Sequence, residues 1–458
     1  MRTPFIKIPV VIILSLLLLA TVRTQAQNVL DNYISEGLKN NIVLQQKVIG
    51  LDKALLSLKI ANGMFMPTVG VIGNYTSGNG GRNISIPVGD MLNPVYSTLN
   101  QLTDSNQFPQ IENVNQNFFP NNFYDIKVRT SVPLINTDLV YNKKIQQQQV
   151  LLQEFEQEIY KRELIRNIKV AYFNYLSANE AVNIYQSAFN RALESKRVNE
   201  SLLANGKGLP AYILRSESEI ENIKAQITDA ENQANNAQQY FNFLLNRGNE
   251  EPIDTTFETN EELIIASNLL VAEPSIQQRE ELKQLREATS LQQTTLKMNK
   301  LFWAPKLSGF LDVGSQYENW EFNDQSRYYL FGVQVDVPLF AGFTNRHKIN
   351  RSRLDVKNSE LNYTLVNQQL SMSSNIARNA VETSYQNYQS ALKQREAAQS
   401  YQRLIDKGYK EGVNTFIESI DARNQLTAAQ LLVTINQYRV LSATANYERE
   451  TASYALNN

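Results

Sequence analysis

The sequence predicts a mainly α fold with a small β part, laid down twice along one chain. Three observations carry that reading. Residues 135–205 and 343–407 contain neither Gly nor Pro, so each can form one very long helix. Four short segments alternate apolar and polar residues in the manner of half-buried strands. Motifs recur at a near-constant spacing: Val132-Pro133-Leu134 returns 205 residues later as Val337-Pro338-Leu339, and Gly208-Leu209 returns 204 residues later as Gly412-Val413.

Composition removes whole classes of function. The 458 residues include one histidine, His347, and no cysteine. Thiol catalysis, disulfides, Cys or His metal clusters and acylation of an N-terminal cysteine are therefore excluded. A formal net charge of -1 gives no general attraction to nucleic acid. No G-x-S-x-G or Walker pattern accompanies the acidic pairs, so neither an enzyme nor a cofactor is expected.

Taken in order, Arg2 and Lys7 precede an apolar run from Ile8 to Ala20, and Thr24-Gln25-Ala26 follows. A membrane helix needs about 20 apolar residues, more than this run supplies, so 1–26 reads as a signal peptide cleaved after Ala26. No later run is apolar for 18 residues, so the mature chain is either soluble outside the cytoplasm or crosses a membrane as strands. A first repeat, 27–247, reads as a helix over about 28–63, strand 67–76, loop 77–122, strand 123–133, long helix 135–205 and helix 211–247. Phe65-Met66-Pro67 and Trp303-Ala304-Pro305 lie 238 residues apart rather than 205, which places about 33 extra residues between Pro67 and Pro133. That stretch is rich in Asn, Gly and Pro and reads as a long irregular loop. A linker over 248–274 leads to the second repeat, 275–458, with helix 275–303, strands 306–317 and 328–338, long helix 343–407 and helix 413–456. Pro67, Pro133, Pro305 and Pro338 mark the strand–helix transitions, where a missing N–H costs least.

Each strand is near 10 residues, the length of a tilted membrane strand, with aromatics at its ends. Tyr124 to Val132 is the clearest, with Tyr, Ile, Val, Thr and Val on one face and Asp, Lys, Arg and Ser on the other. Amphipathic hairpins in a soluble sandwich would share this pattern. Four strands cannot close a barrel and lipid does not tolerate open strand edges, so two chains giving 8 strands or three giving 12 are required. Along the first long helix, Leu164, Ile168, Ala171, Tyr175, Ala178, Val182, Tyr185, Phe189 and Ala192 follow a coiled-coil seam.

Two glycines break each helical run: Gly206 and Gly208 before Leu209, and Gly408 and Gly412 before Val413. Glycine takes positive φ cheaply, which suits a helix reversal. After the second break, Thr415 and Glu418 fit a capping box, and Glu418 and Asp421 share one helix face. Acids in a first helical turn are stabilised by about 0.3–1 kcal/mol in any case, so a cap and an acidic ring both remain open from the residues alone.

The two-fold repeat, the strand ends at 132–135 and 337–340, and Gly-Val-Asn-Thr-Phe-Ile-Glu-Ser-Ile-Asp-Ala-Arg at 412–423 together resemble the TolC-type outer-membrane efflux proteins over nearly the whole mature chain. The resemblance implies a homotrimer in the bacterial outer membrane, contacting its lipid: a 12-stranded β-barrel with four strands per protomer, continued by a long periplasmic α-helical barrel. It further implies a passive duct, coupled through a periplasmic adaptor protein to an inner-membrane pump of resistance-nodulation-division, ABC or major-facilitator type. Gly206, Gly208, Leu209, Gly408, Gly412 and Val413 fall at the adaptor-contacting tips; Tyr409, Asn414, Glu418 and Asp421 fall at the periplasmic aperture. Asn414 stands where an arginine can serve the family's gate, and Leu214 stands where the second repeat has Glu418, so a gate held by hydrogen bonds and packing is expected. A trimeric coiled-coil surface protein with a small anchor barrel is the competing reading.

Overall fold

The computed structural model describes residues 26–78, 80–117, 121–269, 275–454 and 456. Residues 1–25 of the expected signal peptide lie outside them. The described residues divide into two compact units: one draws on those within 26–55, 148–292 and 354–456, the other on those within 56–147 and 293–353. No helix among the described residues is long and apolar enough to cross a membrane.

The first unit is helical. It draws on α1 (Ala26–Asn40), α2 (Ile42–Gly63), α4 (Thr137–Ala204), α5 (Pro210–Leu245), α6 (Thr259–Leu269), α7 (Glu280–Lys300), α8 (Thr344–Lys410) and α9 (Phe416–Thr451); α3 belongs to the other unit and is described below. The 68 residues of α4 make a helix of about 100 Å. The core is centred on Tyr33, Ile168, Tyr172, Phe241, Leu245 and Val440 of α1, α4, α5 and α9, with Leu44 of α2, Leu263 of α6 and Val381 of α8 joining it. The expected single helix over 28–63 is two. Asn41 ends α1, accepts from the Leu44 N–H at 3.0 Å as the cap of α2, and donates to the Leu244 carbonyl at 2.9 Å. The linker is not free either: α6 lies within it, and Asp254 binds the core through Tyr33 and Tyr172 hydroxyls at 2.7 and 2.8 Å.

Packing shifts the seam predicted for α4. Leu164, Ile168 and Ala171 are buried, but further along the buried stripe runs through Ile184, Ala188, Ala192, Ser195 and Asn199, leaving Val182 and Tyr185 half-buried. The stripe is that of a helix packed within its own chain, which heptad counting alone does not single out.

The second unit holds a four-stranded antiparallel sheet in the order β1-β4-β5-β6: β1 (Thr68–Thr76), β4 (Phe123–Ile135), β5 (Lys306–Glu318) and β6 (Arg327–Asp336). Its two faces differ in chemistry. Val71, Val128, Val313 and Tyr329 lie opposite one another across all four strands, and two-residue steps add Val69, Ile126, Leu311, Phe331, Val333 and Val335 to the same face. These apolar side chains stand outward, with Val71 and Phe331 each 74% exposed. The other face carries Asp125, Lys127, Arg129, Asp312 and Tyr328. Arg129 grips Asp312 with two bonds of 2.7 and 2.6 Å, Lys127 pairs with Asp125 at 2.8 Å, and the Tyr328 hydroxyl donates to Asp125 at 2.7 Å. At one end of the apolar face, Trp320 stacks on both Tyr75 and Tyr124.

Pro67 and Pro305 each immediately precede a strand, and Pro338 falls between β6 and α8. Pro133 behaves differently. The strand continues through it to Ile135 across a register shift, and the helix starts at Thr137 with Asn136 as its cap. The missing N–H is absorbed by the bulge rather than by a helix start.

Within the expected irregular loop 77–122, residues 83–117 form a folded module. It contains β2 (Asn83–Ile86) paired with β3 (Val114–Asn117), and α3 (Val88–Leu102) between them. The asparagines do the folding. Asn93 of α3 donates to the Ile111 carbonyl at 3.0 Å and accepts from its N–H at 2.9 Å; Asn100 does the same with Phe108 at 2.8 and 3.0 Å. Two side-chain amides thus act as a backbone edge for the returning segment. Each lost pair of such bonds costs about 1–3 kcal/mol. The double variant Asn93→Ala, Asn100→Ala is therefore expected to be cut by protease within 103–112 at least about tenfold faster, with the melting of the helical unit unchanged.

Candidate functional site

The two reversals, α4 to α5 and α8 to α9, are built alike. At the first, the Gly206 N–H reaches the Leu203 carbonyl at 2.9 Å and the Lys207 N–H reaches the Leu202 carbonyl at 2.8 Å. At the second, Gly412 and Val413 bond back to Tyr409 and Gly408 at 3.1 and 2.8 Å. Both are the helix ending in which one residue turns left-handed and two bonds satisfy the last carbonyls. Gly206 and Gly412 have φ of 71° and 79°, and they alone of the four break glycines use that freedom.

This geometry corrects the sequence register. Gly206 matches Gly412, a spacing of 206 rather than 204, so Gly208 matches Asn414 and Leu202 matches Gly408. The remaining glycines serve close approach. A Cβ on Gly408 would collide with the Asn414 amide, and one on Gly208 would sit 2.7 Å from the Leu203 nitrogen. At the first turn the small residue follows the bend; at the second it precedes it. By the same register Glu418 corresponds to Tyr212, not Leu214.

Beneath the second turn lies a ring cluster. Phe416, the first residue of α9, is buried between Tyr212 at 5.1 Å and Tyr409 at 5.7 Å. The Tyr409 hydroxyl donates to Oδ1 of buried Asn199, tying α8 to α4, and Asn199 in turn donates to Ser216 of α5 at 2.9 Å. Burial pushes the Tyr409 hydroxyl pKa up, which keeps it a donor. One turn further, Asp406 accepts from the Ser419 hydroxyl at 2.6 Å, with Arg423 at 3.9 Å. Arg191 and Arg423 both have their pKa lowered by burial. Arg191, Glu194, Asp406, Tyr409, Ser419 and Arg423 line a cavity of about 320 Å³. Sequence reasoning missed Asn199, Asp406 and Arg191; the usable signal for Asn199 was a polar residue on the stripe of α4 that its own chain buries, and Asp406, on α8, offered none.

The capping box is formed. The Thr415 hydroxyl accepts from the Glu418 N–H at 3.3 Å, and the Glu418 carboxylate accepts from the Thr415 N–H at 2.6 Å. Asn414 adds its amide to that carboxylate at 3.4 Å. Asp421 is exposed and accepts from Gln425 at 2.6 Å. Leu209, Val413 and Ile417 also stand exposed around the two turns, Val413 at 81%.

Hydrogen bonds from the Thr415 backbone, then its hydroxyl and Asn414, hold the Glu418 carboxyl below its ordinary 4.5. A depressed carboxyl contributes fully above its unfolded pKa and is lost as pH falls through the folded one. Amide protection in the first turn of α9 is therefore expected to persist through pH 5 and to fray only below about 4.5, while Glu418→Gln shows no such acid step.

A family model described as outer membrane efflux protein matches residues 33–247 and 271–449. No curated protein matches the sequence. Among solved structures, the outer-membrane channel OprN is similar at 14% identity and a TM-score of 0.71, over 93% of this chain and 90% of that one. CusC, a protein that forms a transmembrane channel, is similar at 14% identity and 0.72, over 93% and 92%. The open state of the MtrE outer membrane channel of Neisseria gonorrhoeae is similar at 17% identity and 0.70, over 92% and 88%.

Proposed function

The chain belongs to the outer membrane efflux protein family, and from that premise we propose that it is the exit duct of a tripartite efflux or secretion system. Three copies, each giving four strands, close a 12-stranded barrel in the outer membrane, and their helices continue it across the periplasm. The observation that carries this reading is the sheet. One face is apolar and exposed, the other is charged and hydrogen-bonded, and both outer strands lack a partner on their outer edges among the described residues. Such a sheet has lipid chemistry outside and water chemistry inside.

The duct is passive. An inner-membrane pump of resistance-nodulation-division, ABC or major-facilitator type supplies energy through a periplasmic adaptor, whose hairpins dock on the tips formed by Gly206, Gly208, Leu209, Gly408, Gly412 and Val413. The exposed Leu209, Val413 and Ile417 support that docking, since apolar side chains at a turn tip find cover only on a partner. Tyr409, Asn414, Glu418 and Asp421 line the periplasmic aperture. With Asn414 in place, the latch is a hydrogen-bonded one: Tyr409 to Asn199 between the helix pairs, and Asp406 to Ser419 within one pair. Three copies of Glu418 and Asp421 set a cation preference.

Single-channel recording in a planar bilayer tests this. The wild type is expected to give small cation-selective steps, and Glu418→Ala with Asp421→Ala to lose the selectivity. Tyr409→Phe leaves a buried amide oxygen unpaired, about 1–3 kcal/mol, and is expected to raise the open fraction roughly 5- to 150-fold. A silent membrane from a confirmed trimer would favour the surface coiled-coil reading; unchanged selectivity would reduce the acids to helix caps.

A further inference from the structure

Helix α3 in the inserted module is amphipathic in the wrong sense for a helix serving only its own fold. The face turned to its own chain is polar: Asn93 and Asn100 bind the 108–111 segment, with Tyr96 against Phe108 at 5.8 Å between them. The opposite face is Met91, Val95 and Leu102, exposed to 70%, 51% and 77%. Amphipathic helices ordinarily spend their apolar stripe on their own core. Here the stripe is left for something outside the chain.

Its occupant follows from charge and connectivity. Helix α3 contains no Lys or Arg, and the module carries Arg82 against Asp90, Asp104 and Glu112. A helix that lies on a lipid surface carries basic residues on its polar face, so an anionic lipid surface is a poor match. Met91, Val95 and Leu102 stand at i, i+4 and i+11, the spacing of a helix–helix seam. The module grows directly from β1, a strand with no partner on its outer edge among the described residues. In the three-fold duct proposed above, on which this inference rests, β1 meets the next protomer and the modules stand around one mouth.

We propose that the three α3 helices pack on one another through Met91, Val95 and Leu102 and form a lid over the outer mouth of the duct. The surface is an interface between copies of this chain, distinct from the periplasmic aperture, and the insertion is what supplies it. The second repeat, which lacks those residues, joins β5 to β6 with a short turn.

The absence of native cysteine makes the test direct. Full-length Leu102→Cys protein is oxidised in membranes, with Ser97→Cys, on another side of the same helix, as control. The expected result is a disulfide-linked dimer within a native trimer for Leu102→Cys and none for Ser97→Cys, with Val95→Glu enlarging the conductance of the assembled channel. A native trimer without the Leu102→Cys cross-link overturns the lid and leaves the duct standing. Quenching of a fluorophore on Leu102→Cys by spin-labelled lipid overturns it in favour of a membrane seat. A protein that is not trimeric overturns the duct, and the lid with it.

Discussion

Two unpaired strand edges govern this molecule. Strands β1 and β6 each present an edge of backbone N–H and C=O groups with no strand partner among the described residues, on a sheet whose broad face is valine, leucine, phenylalanine and tyrosine. In water such edges invite aggregation; in hydrocarbon each unpaired group costs several kcal/mol. Either environment drives the edges together. Closure on other copies of the same sheet satisfies both terms, because it pairs the edges, turns the apolar face to lipid and gathers the charged face around an aqueous interior.

The charged face is consistent with that interior. Arg129 and Asp312 are doubly bonded, and Asp125 is shared by Lys127 and Tyr328, so every charge in the cluster has a counterpart. Ion pairs of this kind add little in open water but hold side chains back from a passage. The outer end of the sheet is finished by Trp320 stacked on Tyr75 and Tyr124, amphipathic rings of the kind that settle at a membrane–water boundary. The helical unit solves a different problem. Its ends must reverse within a few residues, and they do so with the same pair of bonds in both repeats while exchanging which side of the turn is small.

Much of this was legible in the sequence because it follows from periodicity. The four strands show period-2 alternation, the long helices show the absence of Gly and Pro, and the capping box at Thr415 and Glu418 shows the spacing of a local bond pattern. What was not legible depends on contacts distant in sequence. The Asn-rich insertion reads as irregular because composition does not reveal that Asn93 and Asn100 pair with Ile111 and Phe108 as backbone would. The break at Asn41 depends on Leu244, 203 residues away. The repeat spacing at the turns was misjudged because glycines that serve positive φ and glycines that serve close approach are the same letter. Asp406 gave no signal of its own, and only the fold brings it to Ser419 and Asn199 to Tyr409.

Hydrogen–deuterium exchange of the detergent-extracted protein, resolved strand by strand, tests the closure most directly. If β1 and β6 pair between copies, all their amides exchange as slowly as those of β4 and β5, which are paired on both sides within the chain. Rapid exchange at alternate amides along β1 and β6, with β4 and β5 still protected, would mean open edges and no barrel.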